Sequence, residues 1–217
     1  MSRSLPAWIA ALVLLASPAA AIDFRQVTFA SGEYDAGVMD PAWSPDGTRL
    51  AVVYGWIDPG HWYMFFSNIF ILRAADGAGV PFASQSAGNC GEAPILGPAW
   101  SPLGDRIAYT CDRLWIGSVA ETLTTDGGDS GRKPAWSPDG TRIAYEASSG
   151  IRIIPAAGGA SWPLTSGPDG SPAWSPDGAT IAFESARSGL SNIWIASDLR
   201  TVEVQSMSWS AMKQLYR

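Results

Sequence analysis

A seven-residue repeat constrains the fold of this chain more than any other feature. PAWSPDG occurs at 41–47, 134–140 and 172–178, and PAWSPLG occurs at 98–104. In the common form a short apolar stretch runs into a turn, where proline presets φ, aspartate bonds its own backbone and glycine accepts a positive φ. A second apolar stretch follows each copy, so the sequence predicts four β-hairpins.

The spacing of the repeat predicts how these hairpins are arranged. The repeated tryptophans are 57, 36 and 38 residues apart, and each unit adds a third apolar strand and a weaker fourth one. A period of about 40 residues with four short strands is typical of a β-propeller; the alternative is a sandwich of four unrelated hairpins. We expect the tryptophans to be core residues that pack opposite the small alanine of each second strand. They are Trp43, Trp100, Trp136 and Trp174.

Two further segments have the pattern of blade fragments. Residues 24–28 resemble the last strand of a blade, and residues 207–217 resemble a decayed repeat hairpin, with Trp209 lying 35 residues after Trp174. The predicted fold is therefore all-β, a propeller with four full blades and pieces of a fifth. Those pieces either assemble one composite blade or belong to a truncated ring that does not close.

The stretch PAWSPDGTRIAY at 134–145, with the strand that follows it, resembles the repeat of the TolB-type, WD-like β-propeller family. The resemblance covers roughly residues 24–217. Propellers of this family serve as periplasmic binding proteins, as the gating domain of serine oligopeptidases and as parts of polysaccharide-degrading proteins. The resemblance thus implies a fold and leaves the function open.

Residues 1–21 have the pattern of a secretory signal peptide, with Arg3 at the start, an apolar run at 5–16 and small residues at 17–21. The apolar run is too short to span a bilayer. No cysteine stands at the cleavage site to carry a lipid, so we expect no stable membrane anchor. Residues 22–217 are predicted to form one propeller domain in the periplasm or outside a bacterial cell.

The charge of the chain narrows the class of partner. The formal net charge is −6 at neutral pH, and the sequence contains no cluster of basic residues. An acidic protein of this size is poorly suited to bind nucleic acid or an anionic membrane. A protein, a peptide or a cell-envelope component is the expected partner.

The sequence predicts no enzyme activity, no cofactor and no metal site. His61 is the only histidine and there are two cysteines, too few for a multi-histidine or Cys/His zinc site. The GGDSG stretch at 127–131 resembles the nucleophile loop of trypsin-like proteases, but it stands where every unit has its Gly/Asp-rich connection. The repeated aspartates are interpreted as turn residues rather than calcium ligands.

Cys90 and Cys111 are predicted to form a disulfide bond. Cys90 precedes the second unit and Cys111 ends its second strand, so both belong to one edge of the propeller. Disulfides are favoured in exported proteins. The alternative is that both side chains are small buried hydrophobes.

Two insertions in the first unit provide the candidate binding site. Residues 56–67 separate the second and third strands, and residues 84–97 precede the second unit. Both emerge at the propeller edge opposite the Pro-Asp-Gly turns, and binding groups are commonly carried on such connections. The candidate binding residues are Trp56, Asp58, His61, Trp62, Tyr63, Phe65 and Phe66.

This aromatic cluster has three interpretations. It covers the top of the first blade, it anchors a partner protein, or it stacks against sugar rings of an envelope polysaccharide. Residues 84–97 would form the second wall of such a site. Because histidine ordinarily titrates near neutral pH, the sequence predicts that binding at a site containing His61 would vary with pH.

The sequence thus predicts an exported, non-enzymatic propeller that binds a protein, peptide or envelope component. The alternative is an accessory or remnant propeller of a serine oligopeptidase or of a polysaccharide-degrading system.

Overall fold

The computed structural model describes residues 25–28, 34–61, 64–84, 93–120, 124–126, 130–197 and 199. These residues form fifteen β-strands in four antiparallel sheets, with one short 3-10 helix at Pro59–His61. The all-β prediction is confirmed. Within this part of the chain, no helix is long and apolar enough to cross a membrane.

Each sheet is an up-and-down meander, and we name the sheets blades 1 to 4 in chain order. Blade 1 contains β1 (Asp35–Trp43), β2 (Arg49–Asp58), β3 (Met64–Arg73) and β4 (Gly79–Ser84). Blade 2 contains β5 (Leu96–Trp100), β6 (Arg106–Thr110), β7 (Leu114–Ser118) and β8 (Thr124–Asp126). Blade 3 contains β9 (Gly131–Trp136), β10 (Arg142–Ala147), β11 (Gly150–Pro155) and β12 (Trp162–Pro163). Blade 4 contains β13 (Asp169–Trp174), β14 (Ile181–Ser185) and β15 (Asn192–Ala196).

The pieces expected to form a fifth blade are only partly described. Residues 25–28 lie outside any strand, although Val27 packs against the apolar face of blade 1. Residue 24, the fourth strand expected for blade 4 at 201–206, and the hairpin at 207–217 lie outside the described residues. The composite fifth blade therefore stays a prediction.

The repeated turns are held by their serine and aspartate side chains. Ser44 Oγ donates to Asp46 Oδ1 at 2.6 Å, and the Thr48 backbone N–H donates to the same oxygen at 3.0 Å. Ser137 and Ser175 make the equivalent hydroxyl–carboxylate bonds in blades 3 and 4. These bonds support the interpretation of the aspartates as turn residues.

Blade 2 carries leucine where the other turns carry aspartate, and it forms its turn differently. The Ser101 hydroxyl donates to Asp105 Oδ1 at 2.8 Å, and Ser101 Oγ accepts a bond from the Leu103 N–H at 3.1 Å. The carboxylate is thus supplied from two residues further along the chain. The turn keeps its shape, and Gly104 keeps its positive φ of 75°.

The blades stack face on face through the repeated tryptophan and alanine, as the sequence predicts. Trp100 lies in one apolar cluster with Ala51 of blade 1. Trp136 packs on the cluster that contains Ala108. Trp174 packs on the cluster that contains Ala144. Each indole therefore fills the space left by the alanine of the preceding blade.

Two of these indoles also bond to the preceding blade. Trp136 Nε1 donates to the Ala99 carbonyl at 2.9 Å, and Trp174 Nε1 donates to the Ala135 carbonyl at 3.1 Å. Consecutive blades are thus joined by a directional bond as well as by apolar packing.

The prediction that all four repeated tryptophans are core residues is wrong for Trp43, which is 58 % exposed. Trp43 occupies the same repeat position as Trp100, which is 8 % exposed. The difference arises because, within the described residues, no sheet precedes blade 1 to cover this indole.

The first strand of every blade contains a β-bulge at one repeat position. The residue before the repeat proline has a positive φ in all four blades: Asp40 (50°), Gly97 (57°), Lys133 (48°) and Ser171 (53°). Non-glycine residues rarely adopt this conformation, and bulges commonly redirect a side chain beside a functional site. Asp40 Oδ2 accepts a bond from the Gly97 N–H at 3.1 Å, so the bulges also link neighbouring blades.

Candidate functional site

The first predicted insertion is a continuation of two strands. β2 runs to Asp58 and β3 begins at Met64, and their residues pair without interruption, including Trp56 with Phe66. The expectation that residues 56–67 separate the strands is corrected accordingly. The two strands are joined through a turn at Asp58-Pro59-Gly60, in which Asp58 Oδ1 accepts a bond from the Gly60 N–H at 2.8 Å.

This extended hairpin projects beyond the other blades. In the repeat alignment Ala147, the end of β10, matches Tyr54, so β2 continues for four residues more. At the usual rise of a strand, that is about 13 Å. The projection stands at the edge opposite the Pro-Asp-Gly turns.

Four aromatic rings line one face of the extended hairpin, and we call them the aromatic ladder: Tyr54, Trp56, Phe66 and Phe70. Trp56 and Phe66 are stacked, with ring centroids 5.7 Å apart and planes 20° apart. Tyr54 lies 6.3 Å from Trp56 and 6.0 Å from Phe70. The upper rings are only half-buried, so their faces are available to a partner.

An apolar groove continues below the aromatic ladder on the same face of blade 1. Its volume is about 500 Å³, and Tyr54 and Phe70 form part of its wall together with Val38 and Leu72. Val27 closes one side. The segment that carries Val27 is fastened by Arg25, whose guanidinium donates to the carbonyls of residues 74 and 75.

The remaining predicted binding residues are distributed differently. Phe65 pairs with Ile57 on the opposite face of the hairpin, beside Gly55. His61 ends the short helix, and its side chain lies outside the described part of the structure. Trp62 and Tyr63 are likewise outside it. Their role in binding stays a prediction.

The second insertion, at 84–97, returns beside the extended hairpin. Residues 85–92 lie outside the described residues. At its end, Ile95 is fully buried, and its backbone exchanges two hydrogen bonds with the Ser67 hydroxyl, at 2.7 and 3.0 Å. Ser67 belongs to β3, so this end of the insertion is anchored to the strand that carries Phe66. The sequence pattern does not identify the Ser67–Ile95 contact.

A second concave region, which we call the charged cavity, lies between blades 3 and 4. Its volume is about 430 Å³. Its charged lining residues are Lys133, Glu146, Asp169 and Glu184. The sequence pattern does not predict this cavity, although these residues depart from the repeat: Asp169 stands where blades 1 to 3 have Val38, Ile95 and Gly131.

Other predicted chemical groups are not brought together into a catalytic site. Of GGDSG, only Ser130 and Gly131 are described; Ser130 is exposed just before β9, and Gly131 begins that strand. The described residues contain no group of three or more His, Cys, Asp and Glu that could hold a metal ion. Cys111 follows β6 and packs against the core between blades 1 and 2. Cys90 lies outside the described residues, so the disulfide stays a prediction.

Comparison with known families identifies one match that covers most of the chain. The sequence profile of the TolB beta propeller domain matches residues 69–216. Among curated proteins, the uncharacterized peptidase YuxL of Bacillus subtilis (strain 168) is 32 % identical over 93 residues. That match spans 43 % of this chain and 13 % of YuxL, so the chain corresponds to a small part of that relative.

Solved structures show the same fold at low sequence identity. TolB from Acinetobacter baumannii superimposes with a TM-score of 0.56 at 19 % identity, over 75 % of this chain and 41 % of that one. An acylaminoacyl peptidase in complex with a chloromethyl ketone superimposes with a TM-score of 0.54 at 14 % identity, over 76 % of this chain and 31 % of that one. A propeller of this kind is therefore found both in TolB and in a peptidase.

Proposed function

The chain belongs to the TolB β-propeller domain family, and from this premise we propose that it is an exported, non-enzymatic propeller that binds a protein, peptide or envelope component. The surface proposed to bind is the projecting part of the aromatic ladder, formed by Trp56 and Phe66. The groove below it lies on the face of blade 1 that a preceding blade would cover. The candidate residues at the tip of the hairpin, Asp58, His61, Trp62 and Tyr63, are proposed to extend this surface, whereas Phe65 lies on the opposite face.

The observation that carries the proposal is the projection of stacked aromatic side chains beyond the body of the blades. Blades 2 to 4 end their second strands near the level of Tyr54, so the propeller core does not require the pairs from Trp56–Phe66 to Asp58–Met64. Trp and Tyr are enriched at binding hot spots, because they offer a large contact area with few rotatable bonds. Half-buried stacked rings also suit sugar faces, which is why an envelope polysaccharide is among the proposed partners.

The proposal is tested with a double substitution on each face of the hairpin. Trp56→Ser with Phe66→Ser removes the upper half of the aromatic ladder. Ile57→Ser with Phe65→Ser removes the paired residues on the opposite face and serves as the matched control. Both variants and the unmodified chain are used to capture components from a bacterial envelope extract, and their melting temperatures are measured.

We expect the ladder variant to lose the captured component and to keep its melting temperature within a few degrees, while the control retains the component. A ladder variant that melts much earlier and still captures the component would show that the rings only cover blade 1. Equal loss of capture in both variants would contradict the assignment of binding to the ladder face.

Export is the second part of the proposal. Residues 1–21 carry the signal pattern, and protein isolated from the periplasm is expected to begin near Ile22. N-terminal sequencing tests this directly. Protein that keeps Met1 and stays in the cytoplasm would contradict it.

The alternative function, an accessory propeller of a peptidase system, is favoured by the match to YuxL. The same capture experiment distinguishes the two. Recovery of a hydrolase chain, with peptide hydrolysis in the captured fraction, would favour the accessory propeller of a peptidase system. Recovery of a component without hydrolase activity would favour the binding protein.

A further inference from the structure

The projecting part of the aromatic ladder has an acidic residue beside it on β1. Asp35 stands directly opposite Trp56 in the pairing of β1 with β2. Residues that pair directly across two antiparallel strands belong to the same face of the sheet. Trp56 therefore has Phe66 on one side, stacked on it from β3, and the position of Asp35 on the other side.

A second acidic residue lies on this face at the tip of the hairpin. Asp58 follows Trp56 by two residues in β2, and side chains two residues apart in a strand project from the same face. Its Oδ1 atom accepts the Gly60 N–H, which is a neutral donor and does not cancel the charge of the carboxylate. Two acidic residues thus flank Trp56, one across the sheet and one along the strand.

The basic residues of blade 1 lie at its other end. No lysine or arginine occurs at 34–48 or 50–72, which include β1 and the whole extended hairpin. Arg49 and Arg73 pair with each other at the Pro-Asp-Gly edge, and seven residues of strand, about 23 Å, separate Arg49 from Trp56. On the ladder edge of blade 2, Arg113 is already paired with Asp112 at 3.5 Å.

The protein itself combines an indole, a carboxylate and a guanidinium elsewhere. Three of its indoles have an arginine guanidinium over the ring. One of these arginines, Arg187, lies 5.0 Å from the ring centroid of Trp194 and also pairs with Asp169. Within the described residues no arginine lies over Trp56, so the ladder has the indole and the acidic residues of this arrangement without its cation.

We propose that the projecting part of the ladder binds an arginine side chain of a partner polypeptide, with the guanidinium on the Trp56 indole between Asp35 and Asp58. This inference rests on the proposed function, and it narrows the partner to a protein or peptide that presents an arginine. A flat guanidinium covers an indole and donates two parallel bonds to one carboxylate, which neither a lysine ammonium group nor a neutral sugar does. The net charge of −6 favours the approach of a basic segment.

The test uses the full chain and three short peptides that differ in one side chain. The probe is acetyl-Gly-Arg-Gly-amide. Citrulline in place of the arginine keeps its shape without its charge, and lysine keeps the charge without the planar group. Binding is followed at about pH 8, where histidine is neutral. The readout is the NMR signal of the Trp56 indole N–H, assigned with Trp56→Phe.

We expect the arginine peptide to shift the Trp56 signal, the lysine peptide to bind about threefold more weakly or worse, and the citrulline peptide not to bind. Asp35→Asn with Asp58→Asn should weaken binding of the arginine peptide about fivefold or more, because asparagine keeps the shape and one acceptor but not the charge. Raising the salt concentration from about 50 mM to about 500 mM should weaken it as well.

Asp76→Asn with Asp105→Asn is the matched control, since it removes two negative charges at the Pro-Asp-Gly edge. Its binding should equal that of the unmodified chain, and the melting temperatures of both double variants are measured in parallel. The inference is overturned if the arginine peptide leaves the Trp56 signal unchanged or if either other peptide binds as tightly. It is also overturned if Asp35→Asn with Asp58→Asn leaves binding unchanged, or if the control weakens it as much.

The capture experiment separates this inference from the proposed function. A component that Trp56→Ser with Phe66→Ser loses, and that Asp35→Asn with Asp58→Asn retains, would exclude the arginine and leave the ladder as the binding surface. A component that the ladder variant also retains would contradict the proposed function itself.

Discussion

The four repeated tryptophans show how one residue type acquires different roles from its neighbours. Trp136 packs on the apolar cluster of blade 2 and donates to the Ala99 carbonyl, whereas Trp43 leaves most of its indole in contact with water. The sequence motif around the two residues is identical. Among the described residues, a preceding sheet packs on Trp136 and none packs on Trp43, so the energetic contribution of the motif depends on blade stacking.

This difference gives a matched pair of substitutions. Trp136→Ala should reduce the free energy of unfolding by about 3–5 kcal/mol, because it empties space between two stacked blades. Trp43→Ala reports whether a further blade covers blade 1. It should cost under about 1 kcal/mol if this indole stays in contact with water, and a cost as large as that of Trp136→Ala would place it beneath the composite fifth blade. Denaturant titration of both variants measures the difference.

The turn aspartates predict a dependence of stability on acidic pH. Hydrogen bonds from the Ser44 hydroxyl and from the backbone and side chain of Thr48 lower the pKa of Asp46 to about 2. The stabilisation from a carboxyl group with a lowered pKa is present above its ordinary pKa and is lost as the pH falls through the lowered one. The loss from Asp46 should therefore fall between about pH 4 and pH 2.

Thr48→Val tests this, because it removes the side-chain donor and keeps the backbone N–H. We expect the melting temperature of this variant to fall less steeply between about pH 4 and pH 2 than that of the unmodified chain. The slope should not vanish, since Arg73 lowers the pKa of Asp76 to about 2 as well. An unchanged slope would contradict the role given to the Thr48 hydroxyl.

At the scale of elements, the sequence predicts the hairpins well because proline, aspartate and glycine determine their turns locally. The tryptophan–alanine stacking is also predictable, since large and small side chains alternate at fixed repeat positions. The extended hairpin is not, because Asp58-Pro59-Gly60 suits the tip of a long hairpin as well as an irregular insertion. Its pairing follows from contacts between strands, such as Trp56 with Phe66.

The bulges and the charged cavity are harder still to predict. The residue before the repeat proline is Asp, Gly, Lys or Ser in the four blades, so residue type does not reveal its positive φ. The cavity depends on bringing Lys133 of β9 beside Ser171 of β13, and this pair is 38 residues apart in the chain. Departures from the repeat at the lining residues, such as Asp169, are the signal of the cavity that the sequence carries.

One element-level prediction concerns the connection between blades 1 and 2. We expect Cys90 and Cys111 to form a disulfide bond in exported protein. The bond closes a loop of about 20 residues and should raise the free energy of unfolding by about 3 kcal/mol. Thiol labelling under denaturing conditions, without reductant, should find no free cysteine. Labelling of both cysteines would exclude the bond, and Cys111→Ser alone provides the reference for one free thiol.

At the scale of the molecule, the two end faces of the blade stack are apolar. Ile195 of blade 4 is 66 % exposed, although its counterparts Ile153 and Ile116 in blades 3 and 2 are each 1 % exposed. At the other end Val27 lies against blade 1, near the position expected for an outer strand of a preceding blade. Exposed sheet faces of this kind favour association unless something covers them.

We predict that residues 24–28 and 207–217 pair in one sheet and cover these faces. Deleting residues 208–217 should then lower the melting temperature or produce oligomers, measured by calorimetry and light scattering. Replacing the same residues by a Gly/Ser segment of equal length controls for chain length. A truncated protein that melts identically and stays monomeric would show that the composite blade does not form.

The propeller has two edges, and the proposed function assigns recognition to one of them. Pro59 is exposed at the tip of the extended hairpin, and Pro138 is exposed in a Pro-Asp-Gly turn at the opposite edge. Site-specific photo-crosslinking from each position in living cells tests this assignment most directly. We predict a discrete adduct from position 59 and none from position 138; adducts of equal yield from both positions, or an adduct from position 138 alone, would contradict the assignment.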